Sequence, residues 1–152
     1  MKTAGAEPVP PSILLVEDNP AHAELVLRSF EVCRTDIKIV HLTDGEAALD
    51  YLFRRGHYAD PQQSPRPRIV LLDLRLPRVD GLQVLAEIKS YPDIKQIPVI
   101  ILTTSSAETD ISGAYERHAN SYLVKPAEFE ELIQLIEALG KYWLDWNSSL
   151  TR

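Results

Sequence analysis

The chain has 152 residues, enough for one domain with a full hydrophobic core. Hydrophobic residues make up 45% and charged residues 25%, a globular balance, and the net charge of -6 argues against a nucleic-acid surface, which needs a basic face. No apolar run reaches the length of a membrane span, no signal-peptide core opens the chain and Cys33 stands alone, which excludes an internal disulfide framework; a soluble cytoplasmic protein is the expectation.

Residues 1–11 contain three prolines with Ala and Gly, and read as a disordered arm. Ile13-Leu14-Leu15-Val16 follows, an unbroken apolar run that ends at Glu17-Asp18-Asn19-Pro20. Such a run predicts a strand buried on both faces. Asp18 or Asn19 can cap the next helix, with Pro20 near its first position and Leu25, Val26, Phe30 and Cys33 as its apolar stripe. Residues 37–42 are β-rich but mixed, as in an edge strand. Thr43 and Glu46 have the spacing of a capping box, and the helix they open runs through Leu49, Leu52 and Phe53 to a stop at Gly56. Residues 57–67, with three more prolines, read as an exposed loop.

Ile69-Val70-Leu71-Leu72 is the third strand, and it runs directly into Asp73. Asp80-Gly81 opens a helix with Leu82, Val84, Leu85 and Ile88. Residues 98–102 form a fourth strand ending at Thr103, and residues 108–117 a short, weakly apolar helix. Tyr122-Leu123-Val124 is a fifth strand ending at Lys125-Pro126. The last helix runs from Glu128 to about Trp146, with Leu132, Leu135, Ile136 and Leu139 inward. Five β–α repeats imply an α/β fold: a five-stranded parallel sheet covered on both faces, with strand order 2-1-3-4-5. Residues 12–146 read as one domain, and residues 147–152 as a tail.

In open α/β sheets, ligands bind beyond the carboxyl ends of the strands. Glu17, Asp18, Asp73, Thr103 and Lys125 all fall at such ends. Three carboxylates gathered there repel one another, and their burial needs positive charge. Lys125 supplies one cation, and a hard divalent ion such as Mg²⁺ suits the oxygen donors. In this scheme Asp73 is a nucleophile for a phosphoryl group. Asp18 and Asp73 hold the metal directly, Glu17 holds it through water, and the Arg75 backbone carbonyl completes the set. Lys125 pairs with one phosphoryl oxygen and Thr103 donates its hydroxyl to another.

The ordered set Glu17-Asp18, Asp73-Leu74-Arg75-Leu76-Pro77, Thr103, Tyr122 and Lys125-Pro126 resembles the response-regulator receiver domain of two-component systems. Thr103, Tyr122 and Lys125 follow Asp73 by 30, 49 and 52 residues, as in that family, and the resemblance covers about residues 12–142. It implies the flavodoxin-like three-layer sandwich and a phosphoryl group taken from the phosphohistidine of a sensor histidine kinase. It also implies a switch in which Thr103 moves toward the phosphoryl group and Tyr122 rotates into the vacated space. That switch remodels a surface built from the fourth helix, fifth strand and fifth helix. Residues 52–56 (Leu-Phe-Arg-Arg-Gly), residues 102–106 (Leu-Thr-Thr-Ser-Ser), Tyr142-Trp143-Leu144 and the proline-rich loop further resemble the small regulators of cyanobacterial phytochromes. Those are standalone receivers served by a light-regulated kinase, and they tend to form homodimers. Arg75 departs from the Asn or Met that many receivers carry, and its side chain is expected to face the site, where it would hold the phosphoryl group or alter its hydrolysis.

Taken singly, these residues have ordinary readings. Glu17 and Asp18 are typical helix-capping acids, Asp73 a turn residue, Thr103 a cap, Lys125 a solvated lysine and Tyr122 a strand aromatic. Their joint placement at strand ends favours the phosphoryl site. His22, His41, His57 and His118 share no metal-like spacing and read as structural or exposed, and Cys33 reads as core. Tyr142, Trp143 and Trp146 either cover the core or form a dimer or partner patch. Two other functions compete with a phosphorylation-controlled binding module. A Mg²⁺-dependent phosphohydrolase usually carries an Asp where Arg75 stands, and a flavin or nucleotide binder needs a phosphate loop where Glu17-Asp18-Asn19-Pro20 stands.

Overall fold

The apolar runs do form strands, and the computed structural model describes residues 12–148. The expected arm, residues 1–11, and residues 149–152 of the expected tail lie outside the described residues. The strands are β1 (Ser12–Val16), β2 (Lys38–Leu42), β3 (Ile69–Leu72), β4 (Val99–Thr103) and β5 (Ser121–Val124). The helices are α1 (Pro20–Cys33), α2 (Gly45–Phe53), α3 (Gly81–Ser90), α4 (Glu108–Glu116) and α5 (Phe129–Gly140). All strand pairs are parallel, in the order β2-β1-β3-β4-β5. The three central strands are buried at every residue, which is why they read as continuous apolar runs.

Alternate residues of the central strands feed two cores. Leu14, Val16, Val70, Leu72, Val99 and Ile101 pack with α2 and α3. Ile13, Leu15, Ile69, Leu71, Ile100 and Leu102 pack with α1 and α5. This period of two gives the three layers.

Several local expectations change. The α2 cap is Asp44, whose carboxylate accepts from the Ala47 amide at 2.7 Å, and not the Thr43–Glu46 box. Glu46 is instead paired with Arg78 at 3.3 Å, so it does not reach back to the cap. Helix α2 stops at Arg54, which adopts the left-handed conformation (φ 57°) and donates its guanidinium to the Ser64 carbonyl, while Gly56 begins a short 3₁₀ turn. Residues 57–67 are not wholly an exposed loop. Ser64 is buried and bonds the Tyr58 carbonyl, and the Tyr51 hydroxyl donates to the Pro65 carbonyl at 2.8 Å. Leu25 and Leu135 do pack against the core, though half-buried, and Ala23 and Ser29 add deep positions to the α1 stripe. Cys33 is half-buried and packs against the core from the end of α1, with its thiol toward the Ile133 carbonyl at 3.6 Å. Helix α5 ends at Gly140 and a π-helical turn, Lys141–Trp146, replaces its last stretch. Arg34 sits at the junction. Its guanidinium bonds the Gly140 carbonyl at 3.2 Å and Asp145 at 2.9 Å, bracketing the turn from outside.

Two glycines fix the loop between β3 and α3. A Cβ on Gly45 would lie 1.9 Å from the Val79 carbonyl oxygen. One on Gly81 would lie 2.3 Å from the Asp73 carbonyl oxygen and 2.6 Å from the Leu74 Cα. Helix α3 therefore starts hard against the backbone that carries Asp73. Gly81→Ala is expected to cost roughly 1–3 kcal/mol of stability through overpacking. At Gly113 the nearest atoms are side-chain ends at 3.4 and 3.5 Å. There an alanine should instead gain up to about 1 kcal/mol of helix propensity. Denaturant melts of the two variants check the contrast, and an unaltered Gly81→Ala would refute the contact.

Candidate functional site at the carboxyl edge of the sheet

Parallel register brings the strand ends together. Val16 pairs with Leu72, Leu72 with Ile101, and Thr103 with Val124. The residues that follow are carried along: the Asp73 amide donates to the Val16 carbonyl at 3.1 Å, and the Lys125 amide donates to the Thr103 carbonyl at 2.7 Å. Carboxylate oxygens of Glu17, Asp18 and Asp73 lie within 4.8 Å of one another. Glu17 is 2% exposed and Asp73 8%, whereas Asp18 is open to solvent. Thr103 is buried at the end of β4.

Lys125 sits among these acids. Its ammonium donates to Asp73 Oδ2 at 3.1 Å, to Glu17 Oε1, and to His22 Nδ1 at 3.2 Å. A lysine ammonium has three N–H donors and no acceptor, so all three are used. Glu17 is further fixed by the Asn19 amide on Oε2 at 3.0 Å, and Asn19 itself caps α1 through the Ala21 and His22 amides. One ammonium does not balance three carboxylates, and the oxygen donors suit a hard divalent cation.

The two buried acids respond differently. Burial raises the Glu17 carboxyl above its ordinary value, against the lowering by Lys125 and the Asn19 amide. Burial also works against the Asp73 carboxylate, but Lys125 and the Thr103 hydroxyl outweigh it and hold that carboxyl below its ordinary value. Asp73 is thus kept ionised, as a nucleophile must be.

Arg75 does not face this centre as expected. Its side chain is 69% exposed and pairs with Asp110 of α4 at 2.7 Å. Asp110 also accepts from the Ser105 hydroxyl at 2.5 Å, and the Tyr122 hydroxyl donates to the Ser105 carbonyl at 2.9 Å. The Ser105 amide in turn points at Thr103 Oγ1, 3.5 Å away. Tyr122 is half-buried, tied to the loop that follows Thr103. His22, read from sequence as structural or exposed, touches Lys125. Its position four residues after Asp18, one turn into a helix that starts at the acidic edge, was the available signal. His41 is structural, with Nε2 at 2.8 Å from the Glu17 carbonyl.

The raised Glu17 carboxyl has a pH consequence. Its folded-state pKa lies above its unfolded value, so its favourable contribution is complete below the unfolded value and is lost as pH rises through the folded one. Glu17→Gln should therefore raise the melting temperature of the metal-free protein at neutral pH, with the gain fading toward acid pH. Thermal melts across that range check this; equal melting temperatures at neutral pH would refute it.

Residues 13–137 match the family model of the response regulator receiver domain. The Probable methanogenesis regulatory protein FilR2 of Methanothrix harundinacea is 51% identical over 137 residues, covering 90% of this chain and 86% of that protein. Response regulator Rcp1 of Synechocystis is 43% identical over 136 residues, covering 90% of each. Among solved structures, the phosphorylated cyanobacterial phytochrome response regulator RcpA superposes with a TM-score of 0.87 at 39% identity, over 93% of this chain and 99% of that one. The Mn²⁺-bound form of Rcp1 gives 0.84 at 42% identity, over 92% and 99%. The strand order and the acidic edge are accounted for together by this kinship: the chain belongs to the response regulator receiver domain family.

Proposed function

We propose that Asp73 accepts a phosphoryl group from the phosphohistidine of a sensor histidine kinase, and that residues 12–146 act as the receiver. The observation that carries this is the ionised Asp73 carboxylate held 3.1 Å from the Lys125 ammonium at the sheet edge. An Asp73 oxygen attacks phosphorus, the P–N bond to the kinase imidazole breaks, and the imidazole keeps the bonding pair. Lys125 and Thr103 then donate to phosphoryl oxygens. Glu17, Asp18, Asp73 and the Arg75 backbone carbonyl would hold Mg²⁺, which supplies charge neutralisation to the phosphoryl oxygens. Tyr122 and Thr103 form the switch, through the Ser105 loop that both touch. The output is a changed contact surface on α4, β5 and α5. Self-catalysed phosphorylation and dephosphorylation are the whole of the chemistry in this reading. The phosphohydrolase alternative loses ground, because Arg75 is engaged with Asp110 and leaves no carboxyl in the position such an enzyme uses.

The kinase in this reading is a phytochrome. The support is that RcpA is named a phytochrome response regulator and resembles this chain over nearly its full length. FilR2 carries a different regulatory name at higher identity, so direct transfer from a phytochrome kinase decides the pairing. Among the described residues, no helix is long and apolar enough to cross a membrane, in keeping with a cytoplasmic site of action.

A homodimer is part of the same proposal. Tyr142 is exposed, Trp146 is 81% exposed, and Trp143 lies half-buried edge-on to Tyr142. Apolar surface of this kind is characteristic of a binding patch.

Incubation with a small phosphodonor and Mg²⁺ should add one phosphoryl group to the wild type and none to Asp73→Asn, by intact mass. An adduct on both, or on neither while Mg²⁺ binds, would overturn the assignment. Trp146→Ala should lower the apparent mass in light scattering to that of a monomer; an unchanged mass would remove this residue from the interface.

A further inference from the structure

His22 lies outside the acceptor, metal and switch residues assigned above, yet it takes one of the three Lys125 donors. The other two go to Glu17 and Asp73. These three acceptors differ in what phosphorylation does to them. When an Asp73 oxygen bonds to phosphorus, the carboxylate becomes an acyl phosphate and loses its charge, so its hold on Lys125 weakens. Glu17 and His22 keep their lone pairs. The Lys125 stem is nearly enclosed, with its side chain 7% exposed, so the ammonium moves only within the reach of these partners.

We propose that His22 is a positioning residue, forming with Glu17 a two-point clamp that keeps Lys125 in place while its third donor passes from Asp73 to the incoming phosphoryl oxygen. The proposal rests on Asp73 being the acceptor. Two features of the site fit it. Helix α1 is capped by Asn19, which accepts from the His22 amide at 3.1 Å and so fixes the backbone that carries the imidazole. Burial, followed by the nearby Lys125 charge, lowers the imidazole below its ordinary value and favours the neutral ring, and an ammonium opposite Nδ1 selects the tautomer that carries its proton on Nε2. Glu17 alone would leave the ammonium free to pivot about one bond. With His22 it is held at two points, and only the third donor is free to turn.

The test compares wild type with His22→Ala and His22→Asn, since asparagine can offer its carbonyl oxygen near the place of Nδ1. In the unphosphorylated protein, the Lys125 ammonium protons should exchange slowly with water in wild type and His22→Asn, and should be lost to fast exchange in His22→Ala, by NMR. With a small phosphodonor and Mg²⁺, His22→Ala should be phosphorylated about tenfold more slowly, the size of one hydrogen bond to a charged donor, and His22→Asn within about twofold of wild type. Mg²⁺ affinity should be the same in all three, because His22 is not a ligand. An ammonium as protected in His22→Ala as in wild type would overturn the clamp. So would a slow His22→Asn that retains full ammonium protection. Absence of any adduct on wild type would count against Asp73 as acceptor, while the ammonium signal would still decide whether His22 holds Lys125.

Discussion

The site depends on one ammonium group among buried acids. Removing Glu17 and Asp73 from water costs free energy unless their charges are paired. Lys125 offsets that cost by direct hydrogen bonds, and its own burial is tolerable only because all three of its donors are taken. The strands bring these charges together without regard to their repulsion, since parallel register is set by the apolar residues behind them. Fold and chemistry therefore oppose each other locally. The apolar packing of the whole sheet holds an unfavourable cluster in place, and one ammonium leaves that cluster short of neutral.

The same opposition shows in the backbone. Gly45 and Gly81 let α2 and α3 begin against the loop that follows Asp73, leaving no space for a Cβ. Asp73 is thus held from three directions: by β1 through the Val16 carbonyl, by Lys125 through its side chain, and by α3 through the contact of Gly81 with its carbonyl oxygen. Rigid support of this kind places reacting groups more accurately than a flexible loop could.

Most of the fold and the acidic edge were legible in sequence for a definite reason. A parallel strand buried on both faces shows as an unbroken apolar run, and a polar residue at its end marks the sheet edge, as in the run from Ile69 to Asp73. What was not legible depends on side chains reaching across the chain. Arg34 reaches the π-helical turn at the end of α5 from 106 residues away, His22 meets Lys125 across 103, and Arg75 finds Asp110 across 35. No local period encodes such contacts. The left-handed stop at Arg54 belongs to the same class, because the Ser64 carbonyl that takes its guanidinium lies in a loop the sequence marks only by its prolines.

The pairing of Arg75 with Asp110 carries a consequence for how α4 can move. It joins the loop after Asp73 to the first turns of α4, beside the Ser105 segment that Tyr122 also touches. With the arginine largely in solvent, such a pair contributes no more than about 1 kcal/mol and is weakened by salt. That is comparable to thermal energy. Helix α4 is therefore moored to that loop by a weak, salt-sensitive tie, while its buried Ala114 anchors it in the core: what holds the helix as a whole is packing, and what sets the attitude of its first turn is a bond that dissolved ions can loosen.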